Sequence, residues 1–121
     1  MSLEEKMRAS AARYVRHGEQ VHAVIGAQTK NPYLVVLIGF WYLLFNRYRM
    51  IVVTSDRIAV LDTGKLSFKR PGAVLYEHHR DTPLGPVTAR FWHKADLGDE
   101  TLYVHRRFFN EIAKADLAGL A

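Results

Sequence analysis

Apolar and polar positions change period along this chain from helical to alternating and back to helical, and one unbroken apolar run is set into the alternating part. Ser2 followed by Glu5 has the spacing of a capping box, and Leu3, Met7, Ala11, Tyr14 and Val15 recur at helical intervals. Gly18 supplies the stop, so residues 1–17 are expected to form an amphipathic helix of about four turns. Its polar face carries Lys6, Arg8, Arg13 and Arg16. From Gln20 to Ala27 the period is two, the mark of a strand. It is two again from Arg47 to Thr54, and Arg57 to Leu61 returns after a turn at Ser55 and Asp56, which predicts a hairpin. Asp62, Thr63 and Gly64 read as the next turn, with strands to follow around Leu66 and Phe68 and over Ala73–His79. Asp81–Pro86 is rich in turn residues, and alternation resumes over Val87–Lys94 and Thr101–His105. The helical period then returns with Phe109, Ile112, Ala113 and Leu117, predicting a C-terminal helix over 106–119.

The apolar run, Tyr33 to Phe45, falls between the first and second strands. Asn31 is a preferred N-cap and Pro32 a preferred first helical residue, so Pro32–Phe45 is expected to be a helix that makes residues 31–46 an insertion. Val35, Val36, Ile38 and the aromatics, with Gly39 mid-run, keep a buried strand open as the alternative. A helix of this length reaches about 20 Å, short of the roughly 30 Å hydrocarbon core of a bilayer. It would have to lie in the membrane, or enter and return, and Tyr33, Trp41 and Tyr42 suit the interface. The same helix is equally suited to burial between subunits or against a partner.

Composition narrows the chemistry. At 121 residues the length suits one domain over 1–121, and 49% apolar with 24% charged residues is ordinary globular usage. With no cysteine there is no disulfide framework, thiolate metal site or thiol nucleophile. Six histidines are present, but none is paired at the spacing of a helical zinc motif, and adjacent His78 and His79 should face opposite sides of a strand. The serines lie outside any nucleophile-elbow context, and the turn glycines are too dispersed to cradle a phosphate. No catalytic group, metal or cofactor is therefore assigned. Seventeen Lys and Arg against twelve Asp and Glu give a net charge of +5, which favours acidic partners. Nucleic acid is disfavoured, because Lys69-Arg70, Arg106-Arg107, Trp92 and Tyr103 fall on different elements. No secretory signal is visible, so a cytoplasmic location is expected.

A succession of about seven short antiparallel strands closed by a helix resembles the pleckstrin-homology-like (PH-like) barrel, an α+β fold of orthogonal sheets capped by the final helix. YRMIVVTSDRIAVLD (48–62) is similar to a strand, turn and strand of bacterial PH-like domains, and FWHKADLGDETLYVHRRF (91–108) to their last two strands and helix entry. The resemblance spans roughly Glu19 to Leu117, leaving the first helix as an addition and the apolar run as an insertion. It implies binding and no enzymatic activity. Two functions follow as expectations. In the first, the chain is a membrane-surface adaptor on the inner face of the cell membrane. Tyr33, Leu34, Leu37, Ile38, Trp41, Tyr42, Leu44 and Phe45 make the apolar contact, and Lys30, Arg47 and Arg49 meet anionic headgroups. In the second, the same apolar surface binds a protein partner or another copy.

Overall fold

The computed structural model describes residues 2–64, 71–98 and 100–119; along the apolar run it describes the backbone throughout and the side chains of Tyr33, Leu34, Leu37, Ile38, Trp41, Tyr42 and Phe45. The class is α+β: one antiparallel sheet, curled into a half-barrel, with helices packed on it. Its strands are β1 (Val21–Gln28), β2 (Tyr48–Thr54), β3 (Arg57–Gly64), β4 (Ala73–His79), β5 (Trp92–Asp96) and β6 (Thr101–His105), in the spatial order β4, β3, β2, β1, β6, β5. Helix α1 (Leu3–Ala11) precedes the sheet and α4 (Phe109–Gly119) ends the chain; two short helices, α2 (Val35–Ile38) and α3 (Phe40–Phe45), lie between β1 and β2.

The central strands are apolar on both faces, and register explains why. Val24, Val52 and Ala59 sit opposite one another and share one face, whereas Ile25, Ile51 and Val60 share the other; all six are buried. A sheet buried on both sides needs cover on both. Met7 and Ala11 of α1 and Phe108, Ile112 and Ala115 at the C-terminal end belong to the same core as these strands. The helix starts as its sequence suggests: the Ser2 hydroxyl accepts from Glu5 N at 3.2 Å.

Several expectations change. Among the described residues there are six strands; the one expected around Leu66 and Phe68 lies outside them. Asp62–Gly64 is the end of β3 and not a turn, because the strand pairs Asp62 with Arg49 and Gly64 with Tyr48. The strand expected from Val87 starts only at Trp92. The backbone before it is engaged elsewhere: Leu84 N and Gly85 N each donate to the Asp116 carboxylate at 2.9 Å, and the His93 ring lies 2.6 Å from Leu84 O. The first helix gives way at Ala12–Tyr14 to a 3-10 turn and to extended backbone at Val15. There Arg57 draws the chain onto the sheet by donating to Tyr14 O at 2.7 Å. Likewise a 3-10 turn, Arg106–Phe108, precedes α4.

The single inserted helix expected over Pro32–Phe45 is not formed, and neither is a core strand. A 3-10 turn (Pro32–Leu34) leads into α2, Gly39 breaks the path, and α3 follows. Gly39 has φ +51° and ψ −121°, a conformation open in practice only to glycine, and it separates the two pieces.

Candidate functional site

The insertion is held at its base by polar groups. The β1–β2 ladder runs to Gln28 and Tyr48 and continues through Thr29 N to Arg47 O at 2.9 Å, with Arg47 N returning to the Thr29 hydroxyl at 3.0 Å. One step further, Lys30 N donates to the Asn46 side-chain oxygen at 3.1 Å, and Asn46 N donates to Tyr42 O at 3.0 Å. Gln28 Nε2 donates to Lys30 O at 2.9 Å and to the Tyr42 hydroxyl. At the start of the insertion the Asn31 side chain accepts from Tyr33 N at 3.0 Å, the capping role its sequence position implies. Gln28, Tyr42 and Asn46 are all buried. Burial pushes the Tyr42 phenol above its ordinary pKa; the hydrogen bond from Gln28 opposes this and the neighbouring Tyr48 adds to it.

Beyond this base the insertion stands out from the sheet as a spur. Leu37 is 80% exposed, Tyr33 61%, and Trp41 and Phe45 59% each, while Tyr42 at 8% is the anchor. Ile38 is less exposed than these and Leu34 is half-buried. The Leu44 side chain lies outside the described residues. The expected contact residues thus divide into an outward set and one inward ring. Scattered exposed apolar residues are normal on a protein surface, but four large side chains so open within one short segment form a concentrated exposed apolar feature.

The three basic residues of the same reading are placed differently. Lys30 is exposed and Arg47 half-exposed at the foot of the spur. Arg49 turns to the sheet, donating from Nε to Glu100 at 3.0 Å and from Nη1 to Asp62 at 3.1 Å, with a side chain 13% exposed. Its charge is compensated by two carboxylates. Gln28 and Asn46 were not singled out by the sequence reading. Their signal was a polar side chain directly after an apolar stretch, Gln28 after the first strand and Asn46 after Phe45, where one that cannot reach water must be satisfied locally.

Among the described residues no group of three or more His, Asp or Glu gathers as metal ligands, and no helix is long and apolar enough to cross a membrane. A groove of about 270 Å³ runs between the Arg80–Pro86 loop and the end of α4. Arg80 crosses it to donate to Ala115 O at 2.8 Å, which serves the C-terminal carbonyls of that helix. Comparison with protein-family models, curated proteins and solved structures finds no match to this chain.

Proposed function

We propose that this chain is a non-enzymatic, PH-like binding module that associates with a membrane surface. In this reading Leu37, Trp41, Phe45 and Tyr33 seat the spur in the boundary between headgroups and acyl chains. Lys30 and Arg47 approach anionic headgroups beside it. Arg49 is left out of the contact, since Asp62 and Glu100 already hold it. The observation that carries the proposal is the exposure of the spur's large apolar side chains on a base whose own polar groups are satisfied. The short, broken helices favour lying in one leaflet over crossing it. The rings at Tyr33 and Trp41 match the preference of Tyr and Trp for the interface.

Flotation with liposomes tests this. The wild type should rise with vesicles of phosphatidylcholine and phosphatidylserine, and Leu37→Ser/Trp41→Ser should lower partitioning by about 10-fold or more, given about 25 cal/mol per Å² of apolar surface. A wild type that stays at the bottom of the gradient overturns the proposal. If light scattering then shows a dimer that the same double variant dissociates, the spur is an assembly surface.

A further inference from the structure

Although the sequence disperses Arg90, Phe91, Trp92, Lys94, Tyr103, Arg106 and Arg107 over several elements, the fold gathers them on the β5–β6 hairpin and the segments flanking its open end. Cross-strand register pairs Trp92 with His105 and Lys94 with Tyr103. Their β-strand neighbours on the opposite face, His93, Ala95, Leu102 and Val104, are buried. The first set therefore forms the outward face of the β5–β6 hairpin. Arg106 N donates to Phe91 O at 2.8 Å, extending the pairing by one step and bringing residues 90–91 against 106–107. The Arg90 guanidinium lies 5.4 Å and that of Arg106 5.7 Å from the centre of the exposed Phe91 ring. Arg107 lies 5.6 Å from the centre of Phe108. Arg90, Lys94, Arg106 and Arg107 are all exposed, and among the described residues none forms an ion pair.

Two guanidinium groups over one ring, with no carboxylate paired to either among the described residues, concentrate positive charge there. His105 registers the same field. Burial, and then the charges of Arg106 and Arg107, hold its imidazole below the ordinary histidine value. The face also connects to the spur: Tyr103 pairs with Gln28, the residue whose side chain bonds the Tyr42 hydroxyl of α3.

We infer that Arg90, Arg106 and Arg107, with Lys94 on the same hairpin, form a second membrane contact that supplies selectivity for anionic lipid, while the spur supplies apolar insertion. This rests on the membrane reading of the spur. It moves the main electrostatic contact from the connection between the central strands β1 and β2 to the β6–β5 edge of the sheet. A nucleic-acid strand is the competing anion, but base stacking needs open rings. Here Phe91 lies under two guanidinium groups and Trp92 packs edge-on with His105 at 5.0 Å. What the face offers is charge on exposed basic side chains, beside a small recess of about 20 Å³ lined by Trp92, Tyr103 and His105.

The test is sedimentation with vesicles of phosphatidylcholine alone and with added phosphatidylserine, comparing wild type with Arg90→Gln/Arg106→Gln/Arg107→Gln. Each arginine near an anionic surface is worth about five-fold in binding, so the triple variant should lose on the order of 100-fold of the phosphatidylserine-dependent enhancement. The charge-retaining triple to lysine should keep most of it. A glutamine triple that folds, by circular dichroism, and retains the full enhancement overturns the inference, as does a lysine triple that loses it. Retention of a single-stranded oligonucleotide by the wild type but not the glutamine triple, with vesicle enhancement unchanged, reassigns the face to nucleic acid and also overturns it. If the wild type binds neither vesicle, the membrane reading itself falls.

Discussion

At the scale of single residues, the most consequential contacts are ionic and buried. Arg57 and Glu19 meet at 3.1 Å with side chains 8% and 0% exposed, and Thr54 donates its hydroxyl to the same carboxylate at 2.6 Å. Burial alone would push the Glu19 carboxyl up. Hydrogen bonds from Arg57, Thr54 and Arg16 N, with the Arg57 charge, outweigh it and bring the pKa from 4.5 down to about 2. Because the folded value lies below the ordinary one, this contribution to stability is fully present above pH 4.5 and is lost as pH falls from there toward about 2. Glu19→Gln should flatten that part of a stability-against-pH curve measured by urea denaturation. Arg57→Met strands a buried carboxylate and should cost about 3–5 kcal/mol at neutral pH in the same assay. His105 gives a gentler readout: in Arg106→Gln/Arg107→Gln, its imidazole pKa by NMR titration should rise toward the ordinary value. None of these pairings was legible in the sequence. Glu19 and Arg57 read as a polar residue before a strand and another after a turn, because their meeting depends on how β1, β2 and β3 align. The same blindness made Arg49 look available.

At the scale of elements, alternation and caps were readable and boundaries were less so. The Ser2 cap, the β2–β3 hairpin and the Asn31 start of the insertion follow from residue chemistry within a few positions. The unbroken inserted helix failed at Gly39, whose backbone leaves the helical region, and no count of apolar neighbours reveals that. The Val87 strand failed because Asp116, distant in sequence, captures the amides before it. The hairpin closes at Lys30 and Asn46, below the spur, so the sheet does not need the spur to form. Replacing residues 31–45 with Asn-Gly should preserve the far-ultraviolet circular dichroism and a cooperative melt, and should abolish binding to phosphatidylcholine vesicles while leaving a weakened phosphatidylserine-dependent part. The lost Gln28–Tyr42 bond should cost about 1 kcal/mol.

At the scale of the molecule, the α+β class and antiparallel pairing followed from the change of period, and the PH-like resemblance implied a barrel of seven strands in orthogonal sheets; among the described residues six strands form one sheet curled into a half-barrel. The strand order was not visible, since it depends on which strands become neighbours. Nor was the gathering of Arg90, Arg106 and Arg107, which β5–β6 pairing alone brings about. Net charge spread along a sequence becomes a directed field only after folding.

The sheet contains a seam. β1 and β2 pair over most of their length, whereas among the described residues the ladder between β1 and β6 is the pair Gln28 and Tyr103. Leu102 and Val104 tie β6 to the common core, but with so short a ladder to β1 the β5–β6 amides should exchange with deuterium faster than those of β1–β3. Gln28 sits in that ladder and also holds the spur through Tyr42. A load on the spur would reach the sheet through Gln28, at the short β1–β6 ladder, so vesicle docking should change the exchange of β6 amides before those of β3.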